Sequence, residues 1–201
     1  MQLADLLILE SPPAKLAKPL AVIADALHRE FDCEPWIEPG ISRRSCILAS
    51  LAVRDFMRAL EFPARIEPVA CTIVATRDGQ PLHSVGLGVP EPRENAPNAW
   101  NGHAVVVLPR ERWLIDTTLY QARRAQWPDL TGMVAVPLLE ALTIDRWGLR
   151  LLSGFAGQDD TGYECEIAWF ANPTNTAWRA APDAKPRRRA GVVARMLAQV
   201  R

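Results

Sequence analysis

The stretch RRSCILASLAVRDFMRALEFPARIEPV, residues 43–69, holds the clearest helical pattern in the chain. Apolar side chains cover most of a helix from about residue 45 to residue 61, and Pro63 disfavours helix at the residue before it. The polar stripe on this helix consists of Ser50, Arg54, Arg58 and Glu61. A helix with so little polar surface is predicted to be largely buried, in the middle of a domain.

A two-residue period follows the helix and predicts strands rich in branched residues. The predicted strands cover residues 64–76, 82–89, 103–108 and 113–118. Asp78-Gly79 between the first two is a strong hairpin signal, and only four residues separate the last two. Helices followed by an antiparallel meander indicate an α+β fold rather than a wound parallel sheet.

The flanking segments extend this plan in both directions. A half-buried helix is predicted over residues 16–31, and residues 3–9 are compatible with a strand or a short helix. Later predictions are a helix near 121–126, a short segment at 137–147, a strand at 163–170, an extended arm at 171–186 and a final amphipathic helix. The predicted organisation is one α+β domain over residues 1–170, followed by a C-terminal arm and helix over residues 171–201.

Composition argues against several classes of protein. The 201 residues are 49% hydrophobic, and 23 basic residues balance 23 acidic ones, so nothing global favours nucleic acid. The chain lacks a run of about 18 apolar residues and a leader pattern, and we therefore expect a cytoplasmic protein without membrane contact. The four cysteines (Cys33, Cys46, Cys71 and Cys165) include no pair at metal spacing, and no metal or cofactor is expected.

Cys46 lies in the first turn of the predicted central helix. Unpaired N–H groups and the positive end of the helix dipole stabilise a thiolate at such a position, and Arg43 and Arg44 add positive charge. A free cysteine is also one of the most buried residue types and often fills a core without reacting. The position of Cys46 alone is therefore compatible with a nucleophile and with a structural thiol.

His103 opens the strand HAVVVL, and Asp116 lies near the end of the next strand, WLIDTT. If the hairpin turns about residues 110–111, His103 faces Thr118 and Asp116 faces Val105. The imidazole and the carboxyl then share one face as diagonal neighbours, with Cβ atoms about 7 Å apart. A slip of one residue would place them on opposite faces. Together with Cys46 they make the nucleophile, base and orienting acid of a thiol enzyme.

In these residues the chain resembles the transglutaminase-like superfamily, which shares the arrangement of papain-like cysteine proteases and includes arylamine N-acetyltransferases. The resemblance is carried by SCILASLAVRDFMRALEFPARIEPV, GHAVVVL and RWLIDTT, in this order, within residues 43–120. Two positions depart from the family pattern. Val105 replaces an aromatic residue after His-Ala, and Thr117 replaces the proline after the acid.

The resemblance implies a papain-like α+β fold and a triad in which Cys46 attacks, His103 takes the thiol proton and Asp116 holds the imidazole. A peptide, amide or ester carbonyl would form a thioester that passes to water or to an amine. The Cys46 backbone N–H would bind the oxyanion, and the candidates for a second donor or for substrate binding are Trp36, Trp100 and Asn101. A cysteine peptidase or amidase is the expected function. The alternatives are an acyltransferase and a catalytically silent binding or assembly module.

Other conspicuous residues have simpler interpretations. His83 and His28 are expected to be hydrogen-bonded or solvated, and the remaining cysteines to be core or loop residues. Residues 185–189 are expected to be a solvated start to the last helix, which would pack on the domain or serve a protein partner or self-association. The loop over residues 90–102 would border the cleft and select the substrate.

Overall fold

The structure is a computed structural model that describes residues 6–8, 11–29, 46–88, 100–122, 132–140, 143–145, 148–158 and 163–200. Over these residues, three α-helices pack on a mainly antiparallel sheet of eight strands. The α+β class predicted from the sequence is confirmed. No helix in these ranges is both long enough and apolar enough to cross a membrane.

The helices are α1 (Ala14–Ala24), α2 (Cys46–Ala59) and α3 (Ala190–Val200), and a π-helical turn at Asp25–Arg29 extends α1. The strands are β1 (Leu6–Ile8), β2 (Arg65–Arg77), β3 (Gln80–Leu87), β4 (His103–Leu108), β5 (Trp113–Asp116), β6 (Met133–Pro137), β7 (Leu151–Gln158) and β8 (Tyr163–Ala171). Short 3-10 turns occur at Leu119–Ala122, Ala177–Ala180, Pro182–Ala184 and Pro186–Arg188.

Helix α2 is the buried central helix that the apolar pattern predicts. It stops before Pro63 because Glu61 turns into the left-handed region at φ 66° and the Phe62 N–H bonds back to the Met57 carbonyl. Ser50 differs from the prediction, since it is buried rather than part of a solvated stripe. Its hydroxyl donates to the Ala104 carbonyl at 2.8 Å, which ties α2 to β4.

The β4–β5 hairpin has the predicted register. Val106 pairs with Ile115 and Leu108 with Trp113, on either side of a turn over residues 109–112. This is the register that places His103 and Asp116 on one face of the sheet.

Strand β2 organises the sheet, and here the predicted meander is wrong. One edge of β2 pairs with β4 through residues 65–69 and with β3 through residues 71–77, so β3 and β4 lie end to end. The other edge pairs with β8. The long connection between β3 and β4 allows the chain to return to β2 instead of pairing β4 with β3. One pair, β1 with β6, is parallel.

The sheet curls until its two ends nearly meet. The end of β6 and the residues after it contact β7. Ser153 Oγ donates to the Pro137 carbonyl at 2.8 Å, and the Leu139 N–H donates to the Leu152 carbonyl at 2.9 Å. One core lies inside this nearly barrel-shaped sheet, and a second core lies between the sheet and the helices. Strands β6 and β7 were not predicted, since MVAVP is short and glycines interrupt LLSGFAGQ.

The segment predicted as an extended arm instead forms a chain of 3-10 turns that crosses α2. Helix α3 follows, and its Val192 and Met196 are buried in the core formed by the helices. Arg189 was predicted to be solvated, but it is buried and donates to the Asp55 carboxylate of α2 and to the Ala184 carbonyl. The apolar face of α3 therefore packs on the domain, which is the first of the two predicted alternatives.

The weaker predictions had mixed outcomes. The strand at 163–170 is confirmed as β8. The described part of the predicted helix at 121–126 belongs to a 3-10 turn, and the rest lies outside the described residues. The predicted short segment at 137–147 contains the end of β6 and Ile144, which forms an isolated bridge with Arg150.

Candidate active site

The start of α2, the start of β4 and the end of β5 meet at one place. Each contributes its terminal residue, and these residues are Cys46, His103 and Asp116. All three are buried, with Cys46 4% exposed and the other two fully enclosed. The structure therefore brings together the three residues that the sequence pattern selects.

The Asp116 carboxylate holds the His103 ring. His103 Nε2 lies 2.7 Å from Asp116 Oδ2. Trp169 Nε1 donates to the same oxygen at 2.8 Å, and the Thr118 backbone N–H donates to Oδ1 at 3.0 Å. The sequence did not indicate Trp169, because nothing in the local pattern of β8 shows that this side chain will reach Asp116 of β5, which is not a neighbouring strand.

The opposite charges of His103 and Asp116 stabilise each other. Burial by itself disfavours the imidazolium, but the charge and hydrogen bond of Asp116 outweigh it and raise the pKa of His103 from 6.5 to about 10. Burial likewise opposes ionisation of Asp116, but the charge and hydrogen bond of His103 outweigh it and lower the pKa of that carboxyl. Each partner therefore favours the charged form of the other.

The Cys46 thiol lies beside the His103 ring. Cys46 is one of the neighbours that raise the pKa of His103, so the two side chains are close. Asp116 occupies Nε2, and Nδ1 has no hydrogen-bond partner of normal geometry among the described residues. Nδ1 is therefore the ring nitrogen left for the sulfur. Cys46 Sγ itself lies 4.0 Å from the Gly102 carbonyl oxygen.

Two glycines allow the backbone at His103 to pack closely. Gly88 has φ 69°, and a Cβ there would lie 2.5 Å from the Val69 carbonyl oxygen and 2.8 Å from the His103 nitrogen. At Gly102 a Cβ would lie 2.2 Å from the Trp100 ring. A side chain at Gly88 would displace the strand that carries the imidazole, and a side chain at Gly102 would displace the Trp100 ring.

Tryptophans and the C-terminal segment cover the sulfur. Trp178, which is 9% exposed, packs with Cys46, Ile47 and Leu51, and Trp100 packs against the same cluster. Asn175 links these parts, since its Oδ1 accepts from Trp100 Nε1 at 2.6 Å and its Nδ2 donates to the Asn101 carbonyl at 3.2 Å. The Trp178 indole N–H is buried and has no acceptor in the described part of the chain.

The candidates for substrate or oxyanion binding thus have different outcomes. Trp100 lies at the site, and Asn101 lies beside it with an exposed side chain. Trp36, Arg43, Arg44 and most of the loop over residues 90–102 lie outside the described residues.

The other titratable candidates lie elsewhere in the fold. His83 is on β3 and is partly exposed, and Cys71 is in the core inside the sheet, where burial raises its pKa well above the ordinary value. Burial also raises the pKa of Cys165 to about 11. The His28 side chain and Cys33 lie outside the described part. No group of three His, Cys, Asp or Glu side chains among the described residues could hold a metal ion.

Comparisons of the chain with protein-family models, with curated proteins and with solved structures find no match. The resemblance to the transglutaminase-like superfamily therefore depends on the sequence motifs alone.

Proposed function

We propose that this protein is a thiol enzyme of the transglutaminase-like type, a peptidase or amidase, with Cys46 as nucleophile and His103 and Asp116 as its partners. The observation that carries the proposal is the buried line of side chains in which Asp116 holds one ring nitrogen of His103 while Cys46 lies beside the ring. Structural histidines do not require a thiol at the start of a buried helix as a neighbour.

In this proposal His103 and Cys46 share one proton. A His103 imidazolium, held by Asp116, favours the thiolate form of the adjacent sulfur. The thiolate attacks a carbonyl carbon and forms a tetrahedral intermediate. The imidazolium then gives its proton to the leaving amine or alcohol, and a thioester remains. Water, deprotonated by the now neutral imidazole, attacks the thioester and releases the acid and the thiol.

The developing oxyanion needs N–H donors. The Cys46 backbone N–H is in the first turn of α2, where helical N–H groups have no carbonyl partner within the helix. Trp178 offers a second buried N–H without an acceptor among the described residues, in the cluster that contains Cys46. Trp178 thus adds a candidate to those selected from the sequence.

A catalytically silent binding or assembly module is the second candidate function. It is favoured by the burial of Cys46, which is 4% exposed beneath Trp178, so that a substrate must displace the covering side chains to reach the sulfur. The two functions make opposite predictions for the reactivity of the thiol.

Iodoacetamide labelling against pH separates the two functions. The enzyme proposal predicts that Cys46 labels below pH 7, well under the free thiol pKa of about 8.5. His103→Gln and Asp116→Asn should slow the labelling by a factor of about ten or more, because the thiolate loses the positioned imidazolium that favours it. His83→Gln is the matched control and should label as the wild type does.

A Cys46 that labels no faster than a denatured-state thiol, with no response to His103→Gln, would contradict the enzyme proposal and favour the binding module. Profiling with peptides, amides and activated esters, with and without an added amine, then identifies the acyl donor and distinguishes hydrolysis from transfer. Cys46→Ala gives the blank rate for each substrate.

A further inference from the structure

A cleft of about 260 Å³ opens at the far end of β4 from the candidate active site. His103 begins β4 and Leu108 ends it, which separates the two places by roughly 17 Å of extended chain. Apolar side chains, three arginines and one glutamate line the cleft. It lies where the chain beyond β6 meets the start of β7, at the seam of the curled sheet.

The floor of the cleft is apolar. Val107 and Leu152 belong to the core inside the sheet, and Leu138 packs against that core. Leu139 is 45% exposed, although leucine side chains gain free energy from burial. The mouths of barrel-like sheets are common ligand sites, because the interior side chains there leave a concave apolar surface.

Arginines supply the charge around this floor. Of the described residues that line the cleft, Arg65, Arg112 and Arg150 are basic and Glu140 is acidic. Arg112 lies 3.8 Å from Glu140, whose side chain is 92% exposed, and such an exposed ion pair is weak. The positive charge of the lining therefore exceeds the negative charge.

The two remaining arginines, Arg65 and Arg150, have the same acidic neighbour, Glu67. Arg65 lies 3.3 Å from Glu67, beside the cleft. Burial raises the pKa of Glu67. The charges of Arg65 and Arg150 both oppose that increase, so both guanidinium groups lie close to the Glu67 carboxyl. The Arg150 guanidinium makes no hydrogen bond within the described part of the chain.

We propose that this cleft binds a small organic carboxylate with an apolar body. A guanidinium group matches a carboxylate with two parallel hydrogen bonds, and the apolar floor would cover the rest of the ligand. The cleft is slightly smaller than the roughly 300–1,000 Å³ of drug-sized ligand sites, which limits the ligand to a few carbon atoms or one ring. A purely inorganic anion would leave the apolar floor exposed to water.

Binding of benzoate to the full chain, measured by calorimetry or by NMR titration at low salt, tests this inference. Benzamide has the same shape without the charge, and inorganic phosphate has the charge without the apolar body. We expect saturable binding of benzoate and at least tenfold weaker binding of the other two. Arg112→Gln and Arg150→Gln should each weaken benzoate binding about tenfold, the scale of one charge-assisted hydrogen bond.

Arg110→Gln is the matched control, since Arg110 is an exposed arginine of the neighbouring turn that does not line the cleft. It should change the affinity less than twofold. The inference is overturned if benzoate does not saturate, if benzamide or phosphate binds as tightly, or if Arg110→Gln weakens binding as much as Arg150→Gln. Thermal unfolding of each variant confirms that the fold is retained. The Cys46→Ala variant should bind benzoate as the wild type does, because the cleft is separate from the thiol.

Discussion

At the scale of single residues, Asp116 is the most constrained group of the candidate site. A carboxylate at zero exposure is stable only if its lone pairs are satisfied, and the described residues supply His103, Trp169 and the Thr118 backbone. The ring of His103 is therefore fixed by a carboxylate that is itself fixed from β8. This arrangement explains how a charged pair can be buried in a sheet made mostly of apolar residues.

Trp169→Phe removes one donor to Asp116 and keeps most of the ring. We expect the free energy of unfolding to fall by about 1–3 kcal/mol, because a buried charged acceptor loses a hydrogen bond. Urea unfolding measures this change. Trp113→Phe is the control for the lost ring volume, since Trp113 is also buried and its indole makes no hydrogen bond among the described residues. Equal losses in the two variants would contradict the role assigned to the Trp169 N–H.

The His103–Asp116 pair should also make stability depend on pH. The pKa of His103 is raised from 6.5 to about 10 in the folded protein, so its contribution is complete below about pH 6.5 and is lost as the pH rises toward 10. The pKa of Asp116 is lowered, so its contribution is present above the ordinary value of 3.8 and is lost as the pH falls. Between pH 7 and pH 10, the wild type should lose more stability than His103→Gln.

Urea unfolding at several pH values checks this difference. The thiols of Cys71, which is buried, and Cys165, which is partly buried, have raised pKa values, so they also reduce the stability of the protein at alkaline pH. Both thiols are present in the variant, so the difference between the two curves isolates His103. If the free energy of unfolding falls equally with pH in the wild type and in His103→Gln, the result contradicts the ion pair.

At the scale of elements, the candidate site depends on how closely β4 approaches β2 and β3. Gly88 follows the end of β3 and lies against the His103 backbone, and Ser50 ties α2 to the next residue of β4. The local sequence around Gly88 does not indicate this contact. The importance of Gly88 comes from a contact between strands that are distant in the chain.

Gly88→Ala and Gly79→Ala form a matched pair of substitutions. Both glycines have positive φ, 69° and 72°, but a Cβ at Gly79 would meet nothing within 4 Å. Each variant should lose about 1–2 kcal/mol from backbone strain. Gly88→Ala should lose about 1–3 kcal/mol more, because its Cβ overlaps the backbone of Val69 and His103. Equal free energies of unfolding for the two variants would show that β4 can move away from Gly88 without loss of stability.

At the scale of the whole molecule, the C-terminal residues are part of the domain that carries the site. The 3-10 turns place Trp178 over Cys46, and α3 contributes fully buried Met196 to the core between helices and sheet. Arg189 joins this segment to Asp55 of α2. Helix α2 is therefore held from the sheet on one side and from the end of the chain on the other.

Met196→Ala should cost about 2–5 kcal/mol of the free energy of unfolding, the usual range for a fully buried large side chain. Val193→Ala, on the same helix but only partly buried, should cost less. Unfolding should be a single transition in circular dichroism and in tryptophan fluorescence. A separate transition at lower denaturant, shifted by Met196→Ala while the main transition stays in place, would indicate that α3 unfolds independently of the sheet.

The sequence by itself determined the central helix and five of the strands. A period of 3.6 identified α2, a period of two identified β2 to β5 and β8, and the short turn between β4 and β5 set the register that puts His103 and Asp116 on one face. The tertiary structure decided the rest. Trp169 reaches Asp116 across 53 residues, and Trp178 covers Cys46 from beyond the last strand. Local periodicity indicates which face of an element is apolar, whereas the packing of the whole chain determines which element covers that face.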